Sequence, residues 1–367
     1  MGNYEFKREV TKMEHKKQRI IQIVAISLTA VVIAVAVGLV FMFTKKEETP
    51  LNGYSREDTI QDITVYQTLY GENTETAATD AANAMNELSQ LIGFEEDDSD
   101  IQKLNQAAGL DWISLDSRTI SILDKAEKVA QDSGGAFSPT IVPILNLWGF
   151  SGSNPSVPTQ EKIEQFLPYV DYQNLRVDTQ ENTASLKMSY SSVSLDGVYN
   201  GALCESAVSS YQTSGVTAGI ITVGNSVGVY GTKPDGSKWT LAVKNPDVTD
   251  TELLAIGTFT IESGYASTCQ LEQNSFVQDG TTYYGILDPS TGKPVETDLV
   301  SVTVTHADGP TSDALALACM VLGKEKGMSL LEQYNAGGIF IDRENNVTVT
   351  DNLKESVQLT TDTFKLA

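Results

Sequence analysis

Reactive side chains are sparse in this 367-residue chain, which narrows the chemistry at once. The histidines are His15 and His306, and the cysteines are Cys204, Cys269 and Cys319. A multi-histidine zinc centre or a Ser-His-Asp site is poorly supported, and the cysteine spacing matches no metal motif. Three cysteines allow at most one intrachain disulfide, and Cys319, within an apolar helical pattern, reads as buried. His306, isolated from any motif, reads as a surface residue. Asp313 precedes the apolar run Ala314–Leu322, where its position alone suits a helix N-cap.

The densest ordered stretch is Gly134–Phe150, GGAFSPTIVPILNLWGF. Gly134 and Gly135 permit positive φ or close backbone approach. Pro139 and Pro143 each lack an N–H and bias the preceding residue away from αR. The spacing predicts a largely buried loop rather than a long helix, carrying Phe137, Ile141, Ile144, Leu145, Leu147 and Trp148. Such an aromatic-rich turn serves packing as readily as chemistry.

Several elements must position these residues. Thr74–Ile92 spaces Ala77, Ala81, Met85, Leu88 and Leu91 along one helical face. A helix over residues 119–131, capped by Asp116 or Ser117, leads into Gly134. Thr159 caps a helix running through Phe166, and Gln61–Leu69 reads as a strand. Residues 175–177 and 184–188 suggest a small hairpin, with further strands around 219–230 and 239–244. No internal repeat is present. No Gly-x-Gly-x-x-Gly follows a strand, so the expectation is one α+β body rather than a Rossmann domain.

Composition, 41% hydrophobic and 20% charged, allows a sizeable core. The net charge of −23 is uneven: residues 1–46 hold eight Lys/Arg and three acids, leaving 17 basic against 45 acidic side chains. So acidic a body argues against a nucleic-acid surface. Ile20–Phe43 is 24 residues without a charge, long enough to span a hydrocarbon core of about 30 Å. Six basic residues from Lys7 to Arg19 precede it, which places the N-terminus in the cytoplasm. A cleaved signal peptide fits less well, because the run is long and no small-x-small site follows. The expected organisation is a cytoplasmic stub (1–19), a single-pass transmembrane helix (20–43), a tether (44–57) and an extracytoplasmic α+β body (58–367).

A resemblance sharpens this reading. Gly135–Phe150 resembles the signature of the FAD:protein FMN transferase family, Gly-x-Phe-Asp-Pro-Thr followed by Pro-Leu-x-x-Leu-Trp-Gly-Phe. Ser99–Asn105 is similar to the family's Ser-Glu-(Ile/Leu)-x-(Arg/Lys)-(Leu/Ile)-Asn. Ser194–Gly201 falls where the family has Asp-Leu-Gly-Gly-Ile-Ala-Lys-Gly, and Gly224–Ser226 where it has Gly-Gly-Asn. Tyr283–Pro294 is similar to Tyr-x-His-Ile-x-Asp-Pro-x-Thr-Gly-x-Pro, and Ser301–Val304 and Ser312–Ala316 follow in order. The resemblance covers Asp58 to the C-terminus.

It implies a mixed α+β fold and a reaction in which FAD is split, FMN passes to a Thr or Ser of an acceptor protein, and AMP leaves. It implies Mg²⁺ to neutralise the diphosphate. By the same resemblance Phe137, Ser138, Pro139, Thr140, Trp148 and Gly149 line the flavin site, with Asn200, Gly224, Asp288, Thr291 and Gly292 at other cofactor positions. Asp313 is the implied metal ligand and catalytic residue, joined by Tyr199 and Leu317 through backbone carbonyls. The chain departs from the family pattern at motif positions. Asn200 replaces Lys, Ser138 and Ser194 each replace Asp, Ser226 replaces Asn, Gly285 replaces His and Leu317 replaces Thr. Thr268-Cys269-Gln270 stands for Thr-Ser-Gly. Three readings remain open: a membrane-anchored transferase, a catalytically impaired binding relative, and an FAD diphosphatase.

Overall fold

The computed structural model describes residues 53–150, 152 and 154–367. The predicted stub and transmembrane segment lie outside the described residues. Among the described residues no helix is long and apolar enough to cross a membrane.

The chain opens with β1 (Tyr54–Ile60), β2 (Ile63–Gly71), α1 (Thr74–Ile92), α2 (Asp100–Gln106) and β3 (Ile113–Ser114). Next come α3 (Ser117–Asp132), α4 (Val142–Trp148), α5 (Gln160–Phe166), β4 (Leu175–Asp178) and β5 (Thr183–Leu186). The centre holds α6 (Tyr199–Thr213), β6 (Val216–Val223), β7 (Ser226–Gly231), β8 (Trp239–Lys244), β9 (Ala255–Ile261) and β10 (Gly264–Gln270). Four short strands follow, β11 (Ser275–Gln278), β12 (Thr281–Tyr284), β13 (Leu287–Asp288) and β14 (Lys293–Pro294). The chain closes with β15 (Leu299–His306), α7 (Gly309–Gln333), β16 (Gly337–Asp342), β17 (Asn346–Val349), β18 (Gln358–Leu359) and β19 (Lys365–Leu366).

Nine of these strands form one sheet in the order β1-β2-β6-β7-β10-β15-β16-β17-β19. Its pairs are antiparallel except β17 with β19. Side chains alternate across a strand, so each strand feeds two cores. Phe340 packs on the helical side with α1, α3, α6 and α7, whereas Ile339 and Ile341 pack on the other side against β8 and β9. A third, smaller cluster joins Ile144 and Trp148 of α4 to Ile163 of α5 and Leu287 of β13.

Local rules account for the helix starts. The Asp116 carboxylate accepts from the Arg118 N–H and begins α3, and the Thr159 hydroxyl accepts from the Lys162 N–H and begins α5. Helix α1 matches its predicted bounds. Three expectations change. The strand predicted over Gln61–Leu69 is the turn and second arm of a hairpin, because Gln61 takes φ 53° and reverses the chain. The first arm begins at Tyr54, so the tether predicted to reach residue 57 ends in sheet. The loop predicted through residue 150 contains α4, since Pro143 sits in its first turn, where a missing N–H costs no helical bond. Within α7, Gly323 takes φ 77° and ψ 175° and breaks the helix in two.

Candidate functional site

Asp313 lies inside α7. The helix is capped by Asp308, whose carboxylate accepts from the Thr311 N–H at 2.9 Å, so the capping role open to Asp313 is filled elsewhere. Three other elements converge on the Asp313 carboxylate. The Gly201 N–H of α6 donates to Oδ2 at 2.7 Å. Ser226 Oγ, at the start of β7, donates to Oδ1 at 2.6 Å, and Ser267 Oγ of β10 donates to the same oxygen. Helices α6 and α7 approach so closely that a Cβ on Gly201 would lie 2.2 Å from the Gly309 carbonyl oxygen. Lys125 of α3 holds this crossing from outside, pairing with Glu205 at 2.8 Å and with Asp308.

The site is short of positive charge. Burial pushes the Asp313 pKa up to about 6, against the pull of its three donors, and Asp308 raises it further. Among the described residues Asp313 forms no ion pair. A buried carboxylate in this state favours either a proton or a cation. The donor set suits magnesium in a limited way: one carboxylate with the Ser226 and Ser267 hydroxyl oxygens beside it. Magnesium commonly takes one or two carboxylates and fills its remaining positions with water and phosphate oxygens. Among the described residues no group of three His, Cys, Asp or Glu forms a self-sufficient cage. Leu317 presents methyl groups toward Gly197, and the Tyr199 phenol points away to Gln61 Oε1 at 3.2 Å. Neither side chain brings an oxygen to Asp313, so these two positions contribute at most their backbone carbonyls.

One helical turn along α7 from Asp313, Leu317 joins Phe137, Ser138, Pro139 and Gly285 in walling a cleft of about 140 Å³, with the exposed Asp196 at its mouth. Its floor is rigid. Ser138 and Thr140, both buried, donate to the Val170 carbonyl at 2.9 and 2.7 Å. Ser138 therefore latches its loop where the family pattern has a carboxylate. Pro139 O accepts from the Ser194 N–H at 3.0 Å, which ties the two motif loops together. Asp196 is exposed at the mouth, but protein crowds its carboxylate from within. That desolvation raises its pKa, with Ser194 pulling the other way.

The remaining predicted residues divide between two places. Asn200 and Gly224 join the Asp313 centre: a Cβ on Gly224 would lie 2.7 Å from Asn200 Nδ2. Trp148, Gly149, Asp288, Thr291 and Gly292 gather elsewhere. Trp148 Nε1 donates to the Gly292 carbonyl at 2.7 Å, and Asp288 accepts from the Ser290 N–H at 2.8 Å to set the turn. Gly149 ends α4 at φ 74°. Trp148 also stacks on Phe150 at 6.1 Å and borders a groove of about 890 Å³. This group braces the wall of the cleft rather than facing Asp313.

Asp196 and Ser267 were not singled out by the sequence. Asp196 had a visible signal, a carboxylate two residues from a motif position that had lost one. Ser267 had none, because only the pleat of β10 aims it at Asp313. Cys204, Cys269 and Cys319 are buried free thiols. His306 is half-buried, with Nδ1 accepting from the Asp308 N–H at 3.1 Å.

The comparisons agree with this arrangement. A family model described as the ApbE family matches residues 58–340. The FAD:protein FMN transferase of Vibrio cholerae is 28% identical over 264 residues, 71% of this chain and 77% of that protein. The protein of the same name from Escherichia coli K12 is 27% identical over 259 residues, 70% of this chain and 73% of its own length. The crystal structure of the ApbE protein from Thermotoga maritima superposes with a TM-score of 0.72 at 26% identity, covering 84% of this chain and 97% of that one. The apo flavinyl transferase ApbE of Pseudomonas stutzeri gives 0.73 at 25% identity, covering 83% and 96%. With its two-sided sheet, its buried Asp313 centre and a family match across most of its length, the chain belongs to the ApbE family.

Proposed function

We propose that the chain is an FAD:protein FMN transferase that uses magnesium, anchored by Ile20–Phe43 with its α+β body outside the cytoplasm. The observation that carries this reading is the buried Asp313, without an ion pair among the described residues, at the meeting point of α6, β7, β10 and α7, one turn of α7 from Leu317 in a cleft that Asp196 also lines. The basic residues before Ile20 and the acidic balance after residue 46 support the orientation.

The chain's own groups divide the work. Asp313, with Ser226 and Ser267, would hold the divalent ion, which when bound neutralises charge on the diphosphate. Phe137 and Leu317 would give the flavin an apolar wall. Asp196 faces the same space and would accept the proton of the acceptor hydroxyl. That oxygen bonds to the FMN phosphorus, the bond from phosphorus to the bridging oxygen breaks, and AMP leaves with the bridging oxygen.

A second reading has its own support. The cleft, about 140 Å³, is smaller than the roughly 300 Å³ at which ligand pockets begin, Asn200 lacks the positive charge of the lysine implied by the family, and Gly285 lacks the implied histidine ring. That describes a binding relative that has lost turnover. The deciding experiment incubates the full chain in detergent with FAD, Mg²⁺ and an acceptor protein, following AMP and in-gel flavin fluorescence. Both products together support the transferase. Free FMN without a labelled protein would indicate a diphosphatase, and bound FAD without AMP the binding relative.

A further inference from the structure

Lys244 ends β8 where the pairing with β9 slips register, Val243 facing Gly257 and Lys244 facing Ala255. Its side chain is half-buried, and Nζ donates to Asn225 Oδ1 at 3.0 Å. Among the described residues this ammonium forms no ion pair. Burial alone lowers its pKa to about 8. A half-buried cation whose partner among the described residues is a neutral amide keeps part of its desolvation cost, which an anion would offset.

The turn that receives Lys244 also builds the Asp313 centre. Gly224 packs against the Asn200 amide, Asn225 takes the ammonium, and Ser226 donates to Asp313 Oδ1 at 2.6 Å. Asn225 is fixed in that role, since its carbonyl accepts from the Thr268 N–H at 3.1 Å and its amide donates to Gln273. Among the described residues, one three-residue turn thus separates a carboxylate without an ion pair from an ammonium without one. Neither charge shifts the other's pKa, so they do not neutralise each other. A ligand that satisfies both carries a cation on one side and anionic oxygens on the other, as a metal-bound diphosphate does.

Position 200, where the family resemblance implies a lysine, holds an asparagine in the first turn of α6 that packs against Gly224 of this turn. We propose that Lys244 supplies the positive charge that meets the diphosphate of the dinucleotide, taking over from the lysine absent at position 200. This rests on the flavin-nucleotide reading above and adds the residue that recognises the phosphates.

Binding of FAD and of riboflavin, which lacks phosphate, to the full chain in detergent with Mg²⁺ tests it by flavin fluorescence. In Lys244→Met the FAD dissociation constant should rise about 10- to 100-fold, the range for one charge-assisted hydrogen bond, while that for riboflavin changes less than about twofold. Lys244→Arg should retain FAD within about threefold of wild type. Unchanged FAD binding in Lys244→Met overturns the assignment and leaves the flavin reading intact. Equal weakening of FAD and riboflavin also overturns it, because the side chain would then be shaping the pocket. Weakened acceptor-protein binding with unchanged FAD affinity moves Lys244 to the acceptor and overturns it as well. A wild-type chain that binds neither flavin ends the flavin reading and this assignment together.

Discussion

Asp313→Asn tests the electrostatics at the centre of the fold. The folded-state pKa of about 6 lies roughly two units above the unfolded value of 3.8. At about 1.4 kcal/mol per unit, the ionised form costs the native state about 3 kcal/mol. The sign follows from proton binding. Between the two values the native state holds more protons than the unfolded chain, so this group's contribution to stability falls as pH rises from about 3.5 to about 7. Asparagine has no such titration. With its oxygen on the Gly201 N–H, its NH₂ group faces the two serine hydroxyls, which must turn from donors to acceptors and exchange charge-assisted bonds for neutral ones, a loss of about 1–3 kcal/mol that does not vary with pH. Relative to wild type, the variant should therefore be less stable near pH 4 and recover by about 3 kcal/mol near pH 7. Urea unfolding followed by tryptophan fluorescence measures this, since Trp112, Trp148 and Trp239 all lie in the body. A stability difference that stays flat across that range would refute the reasoning. Magnesium added near pH 7 should stabilise wild type and leave Asp313→Asn unmoved.

Other outcomes follow from individual contacts. Gly201→Ala places a methyl 2.2 Å from the Gly309 carbonyl oxygen, so the α6–α7 crossing must open, and thermal melting should show a loss of about 3 kcal/mol or more. Trp148→Phe strands the buried Gly292 carbonyl, and urea unfolding should show a loss of about 1–3 kcal/mol. An unchanged urea midpoint would count against that hydrogen bond. Asp196→Asn should lower kcat about 100-fold with FAD affinity held within about twofold, read from AMP release and fluorescence titration. A parallel drop in affinity would make Asp196 a binding residue.

The sequence disclosed most where a local rule acts alone. The apolar spacing of Thr74–Ile92 gave α1 to the residue, and Asp116 and Thr159 marked their helices because an N-cap needs only the next three amides. Asp313 could be named as a carboxylate worth watching, but its role could not be separated from capping until Asp308 was seen to fill the cap. The partners of Asp313 were hidden for a different reason. Gly201, Ser226 and Ser267 lie 112, 87 and 46 residues away, and only the strand order brings them together. The Gly134–Phe150 stretch, expected to act as one loop, divides in two. Its first part walls the cleft, whereas Trp148 and Gly149 turn toward the Gly292 bend. A linear motif carries no information about which face each of its residues will meet.

The break in α7 at Gly323 has a consequence for how large a guest the cleft can take. Asp313 lies deep in the first half of that helix, tethered to three other elements, whereas the cleft-wall residues Leu317 and Val321 lie nearer the broken end. A continuous helix would transmit any displacement of Val321 along the α7 axis in both directions. The left-handed residue two positions later interrupts the ladder of main-chain bonds, so the last turn of the first half is held from one side only. The wall nearest Gly323 is therefore expected to respond to a bulky ring like a leaf spring clamped at the acidic end, giving way at Val321 before the Asp313 carboxylate moves. Any side chain placed at 323 would meet open space yet suffer at φ 77°, and the stiffness of that spring would change for backbone reasons alone.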